Sequence, residues 1–169
     1  MRLFAAIFIP EKALDEIVEL QSKLRSMIHA RASWTRREKM HITLRFFGDY
    51  DVEEASRKIS QALANESVFP VTLSSLSGFP SPMRARVAFL DHECEPLVRI
   101  STLLMEEGDR KPHPHLTLAR FYRPLRLPAL SFEPINFIAN EVALVNSILH
   151  GENAGYHVLQ TWKLGGDKG

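Results

Sequence analysis

Two short runs of this chain carry side chains able to do acid–base chemistry at neutral pH. His41-Ile42-Thr43-Leu44 and His115-Leu116-Thr117-Leu118 share the pattern His-x-Thr-Leu, 74 residues apart. Random placement of the chain's histidines and threonines gives about 0.25 His-x-Thr triplets, so two copies with the same following leucine stand well above chance. On an extended strand, side chains at i and i+2 share one face. Each run therefore offers an imidazole and a hydroxyl to the same space, backed by apolar residues. An unperturbed imidazole titrates near about 6.5, so one neutral copy can act as base while a protonated copy acts as acid. Threonine hydroxyls can donate to oxygens that gain negative charge. In-line displacement at a phosphodiester fits this set: one histidine activates water and the other protonates the departing alkoxide. Neither a metal nor a covalent intermediate is required.

The arginines are the next candidates. Arg45 continues the face of His41 and Thr43 by period two and is expected to reach a phosphate. Arg120 lies on the opposite parity to His115 and reaches the same place only if the strand ends or bulges. Arg86, with Arg84, sits beside the turn-rich Gly-Phe-Pro-Ser-Pro-Met segment and is a further candidate for substrate contact. Trp34 with Arg36, Arg37 and Lys39 has the makings of a stacking ring and basic rim for single-stranded nucleic acid, though Trp34 reads better as core. His113, between Pro112 and Pro114, belongs to an extended lead-in that fixes the strand's entry. His113 and His115 also make half a metal site, but no Asp, Glu or Cys accompanies them at ligand spacing. His29, His92, His150 and His157 read as surface or structural residues. Three classes stay open on the residues alone: a metal-independent phosphodiesterase, a metal-dependent phosphohydrolase using His113 and His115, and a non-catalytic module that binds RNA ends or nucleotides.

The elements that must position these residues follow from periodicity. Leu3 to Ile9 reads as a buried strand, and Pro10 opens a helix from about Glu11 to Met27 with Leu14, Ile17, Val18, Leu20, Leu24 and Ile28 as its stripe. His41 to Phe47 is a strand ended by Gly48. Asp51 to Glu54 resembles a capping box for a helix reaching about Ala64. Phe69 to Leu76 and Arg84 to Leu90 are strands flanking a turn. A helix from Pro96 has Leu97, Ile100, Leu103 and Leu104 as its apolar face. His115 to Phe121 is a strand, followed by strands near Ser131–Ile138, Glu141–Ser147 and Tyr156–Trp162, with a hairpin loop at Gly151–Gly155 and a fraying tail at residues 165–169. Strand, helix, motif strand occurs twice. This predicts two similar α+β lobes with flanking helices, whose motif strands face each other across a groove. Residues 1–169 are expected to form one domain of two intertwined lobes.

Composition bounds the function. The 169 residues are 45% hydrophobic and 24% charged with a formal net charge of +1, so nucleic-acid contact must be local. The single cysteine, Cys94, excludes an internal disulfide and fits a reducing compartment. The apolar run at Leu3 to Ile9 stops at Pro10-Glu11, short for a signal core, and no run approaches the roughly 20 apolar residues of a membrane span. A cytoplasmic protein with no membrane contact is expected.

The stretches Arg2 to Pro10, HITLRFFGD, GFPSPMRARVAF and PHPHLTLARF together resemble the two-histidine (2H) phosphoesterase superfamily, in particular its RNA 2′,3′-cyclic phosphodiesterase branch, also called 2′-5′ RNA ligase-like. The resemblance implies a bilobal α+β fold with antiparallel sheets and pseudo-two-fold symmetry around a central groove. It implies hydrolysis of RNA 2′,3′-cyclic phosphate ends to 2′-phosphomonoesters without cofactor or metal; some members also have 2′-5′ RNA ligase activity. It implies His41 as proton donor, His115 as proton acceptor, Thr43 and Thr117 as donors to phosphate oxygens, and Arg120 at the phosphate. It also implies RNA 3′ ends bearing the cyclic phosphate, such as tRNA fragments, as partners, with no obligate protein partner. The symmetry of the two motifs leaves the acid and base undecided on the residues themselves.

Overall fold

A computed structural model describes residues 1–165. In chain order its elements are β1 (Leu3–Phe8), α1 (Glu11–Met27), β2 (Ala32–Trp34), β3 (His41–Gly48), α2 (Val52–Leu63), β4 (Phe69–Ser81), β5 (Arg84–His92), α3 (Glu95–Leu104), β6 (Leu116–Leu125), β7 (Ile135–Ala139), β8 (Glu141–Ile148) and β9 (Gly155–Lys163). The strands form one antiparallel sheet in the order β7-β4-β5-β6-β3-β1-β8-β9, with β2 alongside β6. The α+β class expected from the alternation of periods is the class observed. No helix among the described residues is long and apolar enough to cross a membrane.

Local chemistry accounts for the boundaries. Asp51 caps α2 by accepting from the Glu54 amide at 2.9 Å, and Gly48 ends β3 with φ at 71°. α1 buries Ala13, Ile17, Leu20 and Leu24, while Leu14, Val18 and Ile28 pack at the margins of the core. Two expectations change. β4 runs on through the Gly-Phe-Pro segment, which pairs with β5. A Cβ at Gly78 would stand 2.7 Å from the Ala85 Cβ, so this close approach requires glycine. In α3 the buried row is Leu97, Ile100, Ser101 and Leu104, and Leu103 faces solvent at 59% exposure. Position 101, not 103, completes the i, i+3, i+4, i+7 row. Of the expected tail, Gly165 is held by a bond from its amide to the Glu66 carbonyl at 3.1 Å; residues 166–169 lie outside the described part.

The two strand–helix–strand units exchange their helices. α1 leaves β1 and packs against β7 in the other half, and α3 leaves β5 and packs against β3. Each exchanged helix carries one polar side chain to the opposite motif strand. Gln21 Nε2 donates to the Thr35 carbonyl at 2.8 Å and to the Leu118 carbonyl at 3.0 Å. Ser101 Oγ donates to the Leu44 carbonyl. Leu44 and Leu118 are also where the ladders slip. Ala5 and Ala6 pair with Arg45 and Thr43, and Ala88 and Phe89 pair with Ala119 and Thr117. Each motif leucine is thus an extra, bulged residue whose carbonyl is tied to a helix from the other half.

Gln21→Met keeps the reach of the side chain and removes its amide donors. It is expected to cost about 1–2 kcal/mol, seen as a lower urea midpoint at unchanged slope; a loss below about 0.3 kcal/mol would show that the tie does not hold the bulge.

Candidate active site

The bulges decide which residues share a face. On β3, His41 and Thr43 point into a cavity, Leu44 turns to the core, and the parity then reverses. Arg45 is directed into the interior at 8% exposure, while Phe46 emerges at 69%. β6 repeats the pattern: His115 and Thr117 face the cavity, Leu118 and Ala119 are buried, and Arg120 swings into the cavity. Phe46 and Arg120 are separated by the same 74 residues as the histidines, so a phenyl ring in one half stands where a guanidinium stands in the other.

The expectation for Arg45 is therefore corrected. Period two holds only for an unbroken ladder, and the extra residue at Leu44 turns the arginine to the opposite side. Its guanidinium donates to the Leu104 carbonyl at the end of α3, with carboxylates of Glu106 at 3.8 Å and Asp109 at 4.0 Å. It also lies over the ring of Phe47 at 4.6 Å. Arg86 is exposed on β5 and is not among the residues that line the cavity.

The cavity, about 140 Å³, is lined by His41, Thr43 and Phe46 from β3, Thr117 and Arg120 from β6 with His115 just before it, Thr35 and Lys39 from the connection before β3, and Tyr156 from β9. A larger hollow of about 640 Å³ lies between the β4–β5 hairpin and residues 126–132, with Arg126 as its one charged side chain. Volume alone does not mark the site; convergent titratable groups do. The motif strands, expected to face each other across a groove, are instead neighbours in the sheet, joined at the single pair Ile42–Leu116. Continuing that antiparallel register sets His41 opposite Thr117 and His115 opposite Thr43, with the histidines diagonal at about 7–8 Å. The local two-fold passes through the Ile42–Leu116 pair.

Each imidazole is oriented by its own strand. His41 Nδ1 is 2.7 Å from the Lys39 carbonyl and His115 Nδ1 is 2.6 Å from the His113 carbonyl. A carbonyl only accepts, so Nδ1 carries the proton and Nε2 is the working nitrogen in both. His41 Nε2 also meets the Thr43 hydroxyl at 2.9 Å. Burial pushes both imidazoles below the ordinary value of 6.5, opposed by the carbonyl bonds. The charge of Arg120 lowers both further, and His41 feels that of His115 as well.

Their surroundings differ. His41 packs against the rings of Phe4 at 5.0 Å, Tyr156 at 5.5 Å and Phe8 at 5.8 Å. His115 packs against Phe89 at 4.8 Å and Phe79 at 5.0 Å. Behind it, His113 Nε2 reaches the Asp91 carboxylate at 3.3 Å. His92 ties the lead-in, its Nε2 lying 2.8 Å from the Pro114 carbonyl while its Nδ1 accepts from the Cys94 amide. Among the described residues no third His, Cys, Asp or Glu joins these groups as a candidate metal ligand. Trp34 packs on the core beside Phe121. Thr35, Phe46 and Tyr156 are the cavity residues that the sequence left unmarked. Phe46 is hidden by the bulge, and Tyr156 arrives from a strand far along the chain with no local motif.

A single antiparallel sheet that brings two strand-borne histidine–threonine pairs and an arginine to one cavity defines an α+β fold with a phosphoesterase-like site. A profile of the family described as LigT-like phosphoesterase matches residues 7–89. The RNA 2′,3′-cyclic phosphodiesterase of Thermus thermophilus is 32% identical over 189 aligned positions, covering 100% of this chain and 93% of that protein. The protein of the same name from Methanocaldococcus jannaschii is 25% identical, covering 96% of this chain and 100% of its own length. The crystal structure of TT0787 from Thermus thermophilus superposes with a TM-score of 0.77 at 29% identity, covering 99% of this chain and 100% of that one. That of E. coli LigT with 3′-AMP, at 22% identity, shares the fold with a TM-score of 0.73 over 96% of this chain and 97% of that one. The chain belongs to the LigT-like phosphoesterase family of the two-histidine superfamily.

The exchange of arginine roles is measurable. Arg120→Ala is expected to weaken binding of inorganic phosphate about tenfold or more by calorimetry with stability within about 0.5 kcal/mol of the parent. Arg45→Ala should do the reverse, unfolding earlier while keeping phosphate affinity. Equal losses of phosphate binding in both would restore Arg45 to the site.

Proposed function

We propose that this protein hydrolyses RNA 2′,3′-cyclic phosphate ends to 2′-phosphomonoesters without a metal. The observation that carries this is the pair of imidazoles, each with Nδ1 bound to the carbonyl two residues earlier and Nε2 turned to one shared cavity. That arrangement supplies one acid and one base in a preorganised geometry. The names of the relatives add the substrate class: the proteins from Thermus thermophilus and Methanocaldococcus jannaschii are both RNA 2′,3′-cyclic phosphodiesterases.

The cyclic phosphate binds with its non-bridging oxygens toward Thr43, Thr117 and Arg120. Nε2 of neutral His115 takes a proton from water as the water oxygen bonds to phosphorus. The bond from phosphorus to the 3′-oxygen breaks on the far side, and His41 Nε2–H delivers its proton to that oxygen. The charge that grows on the phosphorane oxygens is met by fixed hydroxyl and guanidinium donors, the arrangement that lowers such barriers most. After release, His115 holds the proton that His41 lost, and exchange with water resets the pair. A ribose hydroxyl entering in place of water would make the ligation product of the same chemistry.

The test is turnover of a short RNA ending in a 2′,3′-cyclic phosphate, in excess EDTA, by wild type, His41→Ala and His115→Ala. Wild type is expected to yield the 2′-phosphate, and each variant to lose about 10²–10⁴ in kcat. Turnover only after metal is added, or tight binding with no turnover, would overturn the proposal. The pH profile follows from the two shifts. His115 must be neutral, so kcat/KM rises as pH climbs through its value; His41 must be protonated, so kcat/KM falls as pH climbs through its own. Burial depresses both below 6.5, which places the maximum on the acid side of that value. A kcat/KM maximum above about pH 7.5 would contradict this.

A further inference from the structure

The catalytic cavity, about 140 Å³, is well below the roughly 300–1,000 Å³ of pockets that enclose a whole small ligand. It takes the reacting phosphate, and the rest of the substrate must leave through one wall. On the His115 side, Phe79, Phe89 and His113 pack against the imidazole. On the His41 side, Lys39 and Tyr156 belong both to the cavity and to a second hollow of about 470 Å³. That hollow lies between the turn Arg37–Lys39 and the β8–β9 hairpin.

Its chemistry is that of a short polyanion site. Arg36 and Lys39 stand against one carboxylate, Glu38, with Ser147 and the Gly155 backbone on the facing hairpin. The Lys39 ammonium sits 5.0 Å from the Tyr156 ring centroid at the junction of the two hollows. The neighbouring Arg37 is neutralised by Asp15 at 2.8 Å. Among the described residues no carboxylate lies within ion-pair distance of Arg36 or Lys39. Two cations and an aromatic face along one groove match the alternation of phosphate and base in a single strand.

We infer that this second hollow receives the nucleotide on the 5′ side of the cyclic-phosphate nucleotide, with Arg36 and Lys39 on its phosphodiester and Tyr156 against its sugar or base. The site then selects an RNA end over a free cyclic mononucleotide. The inference rests on the phosphodiesterase proposal and adds a direction to it. The 3′ leaving oxygen and the rest of the strand belong to one ribose, opposite the attacking water. The groove opens beside His41, which agrees with His41 as the group that meets the leaving oxygen.

The experiment compares kcat/KM for adenosine 2′,3′-cyclic phosphate with that for a trinucleotide ending in the same group, in wild type, Arg36→Ala and Arg36→Lys. Wild type is expected to favour the trinucleotide about tenfold or more at low salt. Arg36→Ala should bring that ratio toward one, and Arg36→Lys should retain most of it. The slope of log(kcat/KM) against log salt for the trinucleotide should fall by about 0.7 in Arg36→Ala, as for one lost single-strand phosphate contact. Equal efficiency on both substrates in wild type, or equal losses on both in Arg36→Ala, overturns the groove and leaves the phosphodiesterase proposal standing. No turnover of either substrate overturns both.

Discussion

One extra residue in each motif strand decides which of its later side chains face the cavity. In an unbroken strand the side chains after His41 and Thr43 would alternate, and Arg45 would share their face. The bulge at Leu44 sends Arg45 into the interior and brings Phe46 out; the bulge at Leu118 brings Arg120 in. A bulge leaves a carbonyl without its ladder partner, and a buried carbonyl without a donor costs free energy. Here the donors come from helices of the opposite half, Ser101 on α3 and Gln21 on α1. The exchange of helices between halves therefore does more than bury apolar area. It ties the register of each motif strand to the placement of the other half, so that two histidines distant in sequence are set against one another.

The scaffold is nearly two-fold symmetric, yet the proposed reaction is not. Hydrolysis needs one acid and one base, and two equivalent imidazoles would compete for either role. The asymmetry enters through residues outside the repeated pattern. Arg120 has Phe46 as its counterpart, so β3 contributes no guanidinium to match the one from β6. His115 is backed by His113, whose charge lowers its basicity, and behind it by Asp91, whose negative charge raises it by less. His41 packs instead among Phe4, Phe8 and Tyr156, with the Thr43 hydroxyl 2.9 Å from its Nε2.

Much of this was legible in the residues. The helix spans, the cap at Asp51, the end of β3 at Gly48 and the paired His-x-Thr faces follow from local periodicity and turn chemistry and appear in the structure, whereas β4 and β6 run on past their expected ends and β7 starts later. Arg45, Phe46 and Leu103 did not follow. A bulge is a register property of two strands together, and neither HITLRFF nor PHPHLTLARF contains a glycine or proline at the slip to announce it. The same applies to Ser101. A serine in a helical stripe looks like a defect until its partner, the Leu44 carbonyl, comes from a strand 57 residues away. Tyr156 is invisible for a related reason, since it reaches the site only because β8 and β9 flank β1.

The depressed basicity of both histidines has a use once the substrate's charge is considered. In the empty cavity, burial and the Arg120 guanidinium disfavour protonating either ring. A cyclic phosphate carries one negative charge into the same space. That charge offsets the guanidinium and favours one proton on the pair, and the pair then holds the single proton the reaction needs. A second proton would place two imidazolium charges beside Arg120, which their mutual repulsion resists. In the proposed mechanism the substrate anion thus sets the protonation state of the histidine pair, by offsetting the charge of Arg120.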